Sequence, residues 1–289
     1  VYDQVYLHRL FLPTDDPTFL IVEEGYNPLR EREVESIFTV GNGYLGTRGS
    51  LAEQDEASSP ATLVAGVFDK RSRQAPDEMP IFPDWLFTRI YVDDERLQMK
   101  RKNIVEHRRV LDMHKGILFR ELLYEDITDR VTRLRFLHFA SLADPHAMAL
   151  RVSVIPRNYR GELRVETGLR LNPRSNPPLQ GVDKITGADD GDAGVLIRAR
   201  TLFTLIDVVM AQRSRVADGF VKPEHSYGKD DMTVVERWRW IGDIAQEMTL
   251  EKFVSVFTSL DGVDAGQAAF AHSRELARRD FEELMLEHM

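Results

Sequence analysis

Three glycines within six residues, Gly41-Asn42-Gly43-Tyr44-Leu45-Gly46, match the G-x-G-x-x-G spacing that brings a backbone close to a pyrophosphate. That chemistry needs a strand before the glycines and a helix N-terminus after them. Ser36 to Val40 supplies a strand-like run, but Thr47-Arg48-Gly49-Ser50 and the acidic, polar stretch to Pro60 carry no apolar helical stripe. The better reading is a structural turn built from Gly41, Asn42, Gly43 and Gly46. It predicts a positive φ at Gly43 or Gly46, with Tyr44 and Leu45 packed beneath.

Other residues could do chemistry but lack the required context. Asp189, Asp190 and Asp192 cluster oxygens that a hard cation would accept, yet no bidentate Glu follows at the right distance, so a solvated loop is the better reading. His107, His114, His138 and His146 show no metal-ligand spacing, and no metal site is expected. Trp85, stiffened by Pro80 and Pro83, leaves two readings open. It is either a platform stacked on the apolar face of a sugar or a buried loop anchor. Trp238 and Trp240 share one face of a strand-like run, which points to core packing. No Gly-x-Ser-x-Gly elbow, P-loop or His-Glu-x-x-His motif is present, and no carboxylate pair stands out. No catalytic residue is therefore assigned.

The elements that would position these residues are mostly strands. Leu163, Val165, Thr167, Leu169 and Leu171 alternate with Arg164, Glu166 and Arg170, the pattern of a half-buried antiparallel strand. Leu134 and Phe136 alternate with Arg133 and Arg135, and Ile117, Phe119, Glu121 and Leu123 give a rougher version. Val195 to Ala211 reads as strand, apolar on both faces from Phe203 to Met210. Lys115-Gly116, Asp93-Asp94 and Arg160-Gly161 read as hairpin turns, and Arg174 to Gly194 as a long exposed loop. From Asp264 onward, Phe270, Ala277, Phe281 and Leu284 recur at helical spacing, with Glu275 and Arg279 as an i,i+4 pair. The expected fold is therefore all-β, a large antiparallel sandwich with a C-terminal helix.

Composition narrows the function classes. The 289 residues contain no cysteine, which excludes disulfides and thiolate metal sites and fits a reducing, cytoplasmic setting. The net charge of −9 argues against a nucleic-acid partner. No apolar stretch reaches membrane-spanning length, and the residues from Val1 onward do not resemble a signal peptide. The chain starts with Val and stops at Met289 with no helix-ending Gly, Asn or Pro, so a truncated polypeptide is expected.

Six stretches in order resemble the N-terminal region of glycoside hydrolase family 65. They are Glu35 to Gly49, Ala65-Gly66-Val67-Phe68-Asp69, the Pro83-Asp84-Trp85 loop, Val110 to Gly116 before Arg120, Phe139 to Leu142 before His146, and Leu250 to Ser259. Asp84 stands where the family pattern has Asn, and the acidic run after Gly49 is a second small departure.

The resemblance implies a β-supersandwich like that of galactose mutarotase over residues 1–262. Residues 263–289 would begin a helical linker to an (α/α) barrel that lies beyond the chain. It further implies a parent enzyme that cleaves α-glucosyl disaccharides such as maltose, trehalose or kojibiose with inversion. Inorganic phosphate would be the usual co-substrate, no cofactor is needed, and a barrel Glu would act as general acid. The sandwich would be non-catalytic, support the barrel, lend it the loop bearing Pro83, Asp84 and Trp85, and aid a homodimer. Phe281 and Leu284 would then lack their barrel partners, so the fragment would dimerise or fray there. The competing expectations are a free-standing carbohydrate-binding module, which needs an exposed aromatic platform, and a mutarotase-like enzyme, which needs a converging His and Glu.

Overall fold

The computed structural model describes residues 9–53, 57–172, 175, 177–186 and 194–289. The chain opens with β1 (Leu20–Glu24), α1 (Glu31–Ile37), β2 (Val40–Gly41), β3 (Leu45–Thr47), β4 (Thr62–Val64), β5 (Thr88–Val92) and β6 (Glu95–Arg96). Five long strands follow: β7 (Ile104–Asp112), β8 (Ile117–Glu125), β9 (Val131–Ala140), β10 (Ala147–Pro156) and β11 (Gly161–Arg170). Then come β12 (Leu179–Thr186), β13 (Val195–Thr201), β14 (Asp207–Asp218), β15 (Glu224–Lys229), β16 (Thr233–Gly242) and β17 (Met248–Thr258). Two helices close the chain, α2 (Ala265–Leu276) and α3 (Phe281–His288).

The strands form a nine-stranded sheet in the order β1-β7-β8-β9-β10-β17-β14-β13-β12, a five-stranded sheet β15-β16-β11-β5-β6, and a small sheet β2-β3-β4. The strand pairs are antiparallel. The all-β expectation thus holds. Ile90 and Val92 of β5 and Leu163, Val165 and Leu169 of β11 face Leu134, Phe136, Leu150, Val152, Leu250 and Val254 of the large sheet in one continuous core. The second face of the large sheet is also covered. Val110, Phe119, Leu137, Phe139, Ala149 and Phe253 pack against Leu276, Phe281, Leu284 and Met285 of the two helices. Double-sided burial is why β10 reads as a nearly continuous apolar run and why β17 is buried along almost its whole length, Glu251 and Lys252 included.

Several expectations are corrected. Phe281 and Leu284 do not fray, because they dock on the large sheet and are buried. The helical stretch is two helices, broken between Leu276 and Phe281. The break keeps the apolar phase, so the sequence pattern runs through it unseen. It also separates Glu275 from Arg279, which bonds Glu287 instead. Ser36 lies at the end of α1, not in a strand. Asp93-Asp94 and Lys115-Gly116 do turn hairpins, with positive φ at Asp93, Asp94 and Gly116. Arg160-Gly161 instead carries the chain from one sheet to the other. The run Phe203 to Met210 is a buried strand only from Val208 to Met210 in β14, since Leu202 to Ile206 turn between β13 and β14 and expose Phe203 and Leu205. Within Arg174 to Gly194 lies the edge strand β12. An edge strand needs only one partner, so its polar composition hid it. Asp189, Asp190 and Asp192 lie outside the described residues.

Candidate functional site

The glycine motif is the β2–β3 hairpin. Gly43 sits at φ +88°, while Gly41 and Gly46 have no positive φ. A side chain at Gly41 would meet the Leu45 carbonyl at 2.9 Å. Among the described residues no helix lies between β3 and β4, so none places an N-terminus at the glycines. Asn42 ties the hairpin together and to the large sheet. Its Oδ1 accepts from the amides of Tyr44 (3.1 Å) and Leu45 (2.8 Å), and its Nδ2 donates to the carbonyls of Ser141 (2.7 Å) and Pro145 (3.1 Å). The Tyr44 hydroxyl donates to Asp261 Oδ2 at 2.7 Å. Burial and that carboxylate push the phenol well above its usual range.

Pro83, Asp84 and Trp85 are all buried. Trp85 is 0% exposed, donates from Nε1 to Thr47 Oγ1 (3.2 Å) and stands edge-on to His138. The stacking-platform reading is therefore corrected: this tryptophan is an internal anchor. Asp84 is bridged to Arg170 through the backbone, with amide–carbonyl bonds of 2.7 and 3.0 Å. It lies near Lys252, whose ammonium donates to the Gly168 carbonyl at 2.7 Å. Burial pulls Lys252 down to about 7, against the opposing charges of Asp84 and Glu236. The exposed part of the preceding loop is Arg71 to Gln74, Pro76 and Asp77.

His107, His114, His138 and His146 are engaged in packing and hydrogen bonds within the fold. His107 uses both nitrogens, with Nδ1 donating to the Gly25 carbonyl and Nε2 accepting from Arg120 Nε, each at 2.9 Å. Burial, then Arg120, pulls it down to about 2, and the same two causes pull His138 to about 3. His146 stacks on Phe257, and His114 stands edge-on to Phe19. Among the described residues no group of three ligating side chains could hold a metal.

Two groupings escaped the sequence reading because they join residues of different elements of the fold. His225 Nε2 lies 3.1 Å from Glu236 Oε2, but Glu236 is 1% exposed and faces the sandwich interior, where Gln212 also donates to it. Ser255 Oγ, His272 and Asp144 form a chain of 2.8 and 2.7 Å bonds. Ser255 is 0% exposed in the middle of β17, so no substrate can reach its hydroxyl. The chain clamps α2 to the sheet. His225 is exposed and His272 and Asp144 are half-buried, but Glu236 and Ser255, the groups that would have to take a proton or attack, are buried.

What the structure does assemble is one end of the sandwich. The β7–β8 turn, the β9–β10 turn, the β2–β3 hairpin, the segment after β17 and the β13–β14 turn all gather there. His288 joins two of them, with Nε2 donating to the Gly116 carbonyl (3.2 Å) and Nδ1 accepting from the Leu142 amide (3.1 Å). Asp69 caps the β13–β14 turn by accepting from the amides of Leu202 (2.5 Å), Phe203 (2.9 Å) and Thr204 (3.1 Å). Those amides hold its carboxyl below the usual range despite burial. At the tip, Leu205 is held at φ +55°, a conformation a leucine rarely adopts. Around these turns Phe68, Met113, Leu142, Leu205 and Leu260 are exposed. An end that presents several exposed apolar side chains is a candidate interaction surface.

Residues 21–289 match the model of the glycosyl hydrolase family 65 N-terminal domain. The chain belongs to this family. A kojibiose phosphorylase of Thermoanaerobacter brockii is 30% identical over 85% of the chain and 33% of its own length. An alpha,alpha-trehalose phosphorylase of the same organism is 24% identical over 78% of the chain and 32% of its own length. A solved structure from the human microbiome, named for kojibiose phosphorylase, superposes with a TM-score of 0.79 at 17% identity, over 95% of this chain and 37% of that one. The family 65 domain thus spans about a third of the length of its curated relatives. No helix among its described residues is long and apolar enough to cross a membrane.

Proposed function

We propose that this family 65 domain is the non-catalytic sandwich of a cytoplasmic phosphorylase acting on an α-glucosyl disaccharide, with inorganic phosphate as co-substrate. The sandwich runs through Gly262 and the helical linker starts at Val263, where Asp264 caps α2. The general acid, a Glu, and the phosphate site belong to an (α/α) barrel of the same polypeptide. The loop end described above supports that barrel. The segment it lends toward the substrate is the exposed Arg71-to-Asp77 stretch with Phe68, since Pro83, Asp84 and Trp85 are internal. A homodimer completes the assembly.

The observation that supports this reading is the gathering of turns from several family-like stretches at one end that exposes Phe68, Met113, Leu142, Leu205 and Leu260, while Glu236 and Ser255, the inner members of the His225 and His272 groupings, are buried. A glycosidic oxygen leaves poorly unless a positioned acid protonates it, an effect worth about two to four orders of magnitude. The purified chain should release no glucose from maltose, trehalose or kojibiose, with or without phosphate. Fused ahead of the remaining two-thirds of the T. brockii kojibiose phosphorylase, it should restore phosphorolysis that the remainder alone lacks. Turnover by the isolated chain, or a folded but inactive fusion, would overturn the reading.

A further inference from the structure

At the opposite end of β7 the pairing with β8 shifts register between Ile104 and Glu106. Bulges of this kind re-aim side chains and recur beside binding sites. Here the shift lies along a cavity of about 520 Å³ that also borders the Glu24-to-Tyr26 segment and Arg101. The volume falls within the range of about 300–1,000 Å³ common for small-molecule sites. Ile104, Val105 and the ring of Tyr26 give it an apolar wall, and Tyr26 is fixed edge-on to the buried His107.

Its charged groups differ in how they are engaged. Glu24 is paired with Arg108 at 2.8 Å, and Glu121 lies 3.4 and 3.3 Å from Arg133 and Arg135. Arg101 and Glu106 have no side-chain hydrogen bond or ion pair among the described residues, although both line the cavity and are exposed. An anionic ligand would meet three carboxylates against two guanidinium groups. A neutral polyol meets no such conflict, because its hydroxyls donate to a carboxylate and accept from a guanidinium equally well.

We infer that this cavity is a second binding site for a neutral saccharide. Glu106 accepts its hydroxyl protons, Arg101 donates to its oxygens, and its carbon face lies on Ile104, Val105 and Tyr26. The site is remote from the loop end, so it stands or falls independently of the barrel-supporting role.

The test is a titration of the isotope-labelled chain with maltose, following the Ile104 and Val105 methyl resonances. Saturable shifts with millimolar affinity are expected, and inorganic phosphate should produce none. Arg101→Ala and Glu106→Gln should each weaken maltose binding by about tenfold. Neither side chain has a partner among the described residues, so circular dichroism and melting should be unchanged. Absence of saturable shifts, affinity unchanged in both variants, or saturation by glycine in place of maltose would each overturn the inference.

Discussion

Replacing Phe281 with alanine tests how firmly the C-terminal helices belong to the sandwich. Phe281 is 0% exposed, with ring centroids 5.9 Å from Phe139, 6.0 Å from Phe253 and 6.4 Å from Phe11. The Arg151 guanidinium lies over the Phe11 ring at 4.1 Å and over Phe281 at 5.8 Å. That arginine pairs with Glu251 at 2.7 Å. Arg215 pairs with the same carboxylate at 2.8 Å and donates to the Ala277 carbonyl at the end of α2. The ring therefore sits where both helices are fastened to the sheet. Truncating a buried phenylalanine costs about 3–5 kcal/mol, from lost transfer energy plus the cavity left behind. An unfolding entropy of about 2.1 cal/mol/K per residue gives about 0.6 kcal/mol/K for this chain, so the midpoint should fall by about 5–8 °C. Calorimetry measures the shift, and urea titration gives the free energy independently. A loss below about 1 kcal/mol would mean that the helices are loosely attached and the packing argument is wrong.

Two further outcomes follow from the geometry. Gly43→Ala should destabilise by about 1–2 kcal/mol, because Gly43 alone of the motif glycines has a left-handed φ. Gly46→Ala, with open space at its Cβ position, should stay within about 0.5 kcal/mol in the same urea assay. His107 and His138 are held to about 2 and about 3, below their ordinary 6.5, so they stay neutral in the folded chain where the unfolded chain takes up protons. Their contribution to stability is therefore complete above the unfolded value and declines as pH falls from about 6.5 toward 3. His138→Leu should reduce the proton uptake on unfolding by about one in that window, measured from the pH dependence of urea midpoints. An unchanged pH slope would show that His138 titrates normally in the fold.

The alternation of Leu163, Val165 and Leu169 with Arg164 and Glu166 was enough to announce an antiparallel sandwich, because a period of two has no other physical use at that length. The glycine turn was equally legible, since a positive φ beside a strand selects glycine locally. The family-like stretches also followed from residue order alone. Tertiary structure decided the rest. Whether Trp85 stacks on a sugar or fills the core depends on Thr47 and His138, which lie 38 and 53 positions away. Whether Phe281 frays depends on Phe139 and Phe253 on the far side of a sheet. The helix break at Ala277 preserves the apolar phase and leaves no trace in the periodicity. His225 meets Glu236, and Ser255 meets His272 and Asp144, only through pairing and docking that the sequence does not record. Local backbone preference and solvent exposure act on each residue and its neighbours, so sequence carries them directly. Contacts between distant strands arise from the shared burial of many side chains, and only the folded chain fixes which of them touch.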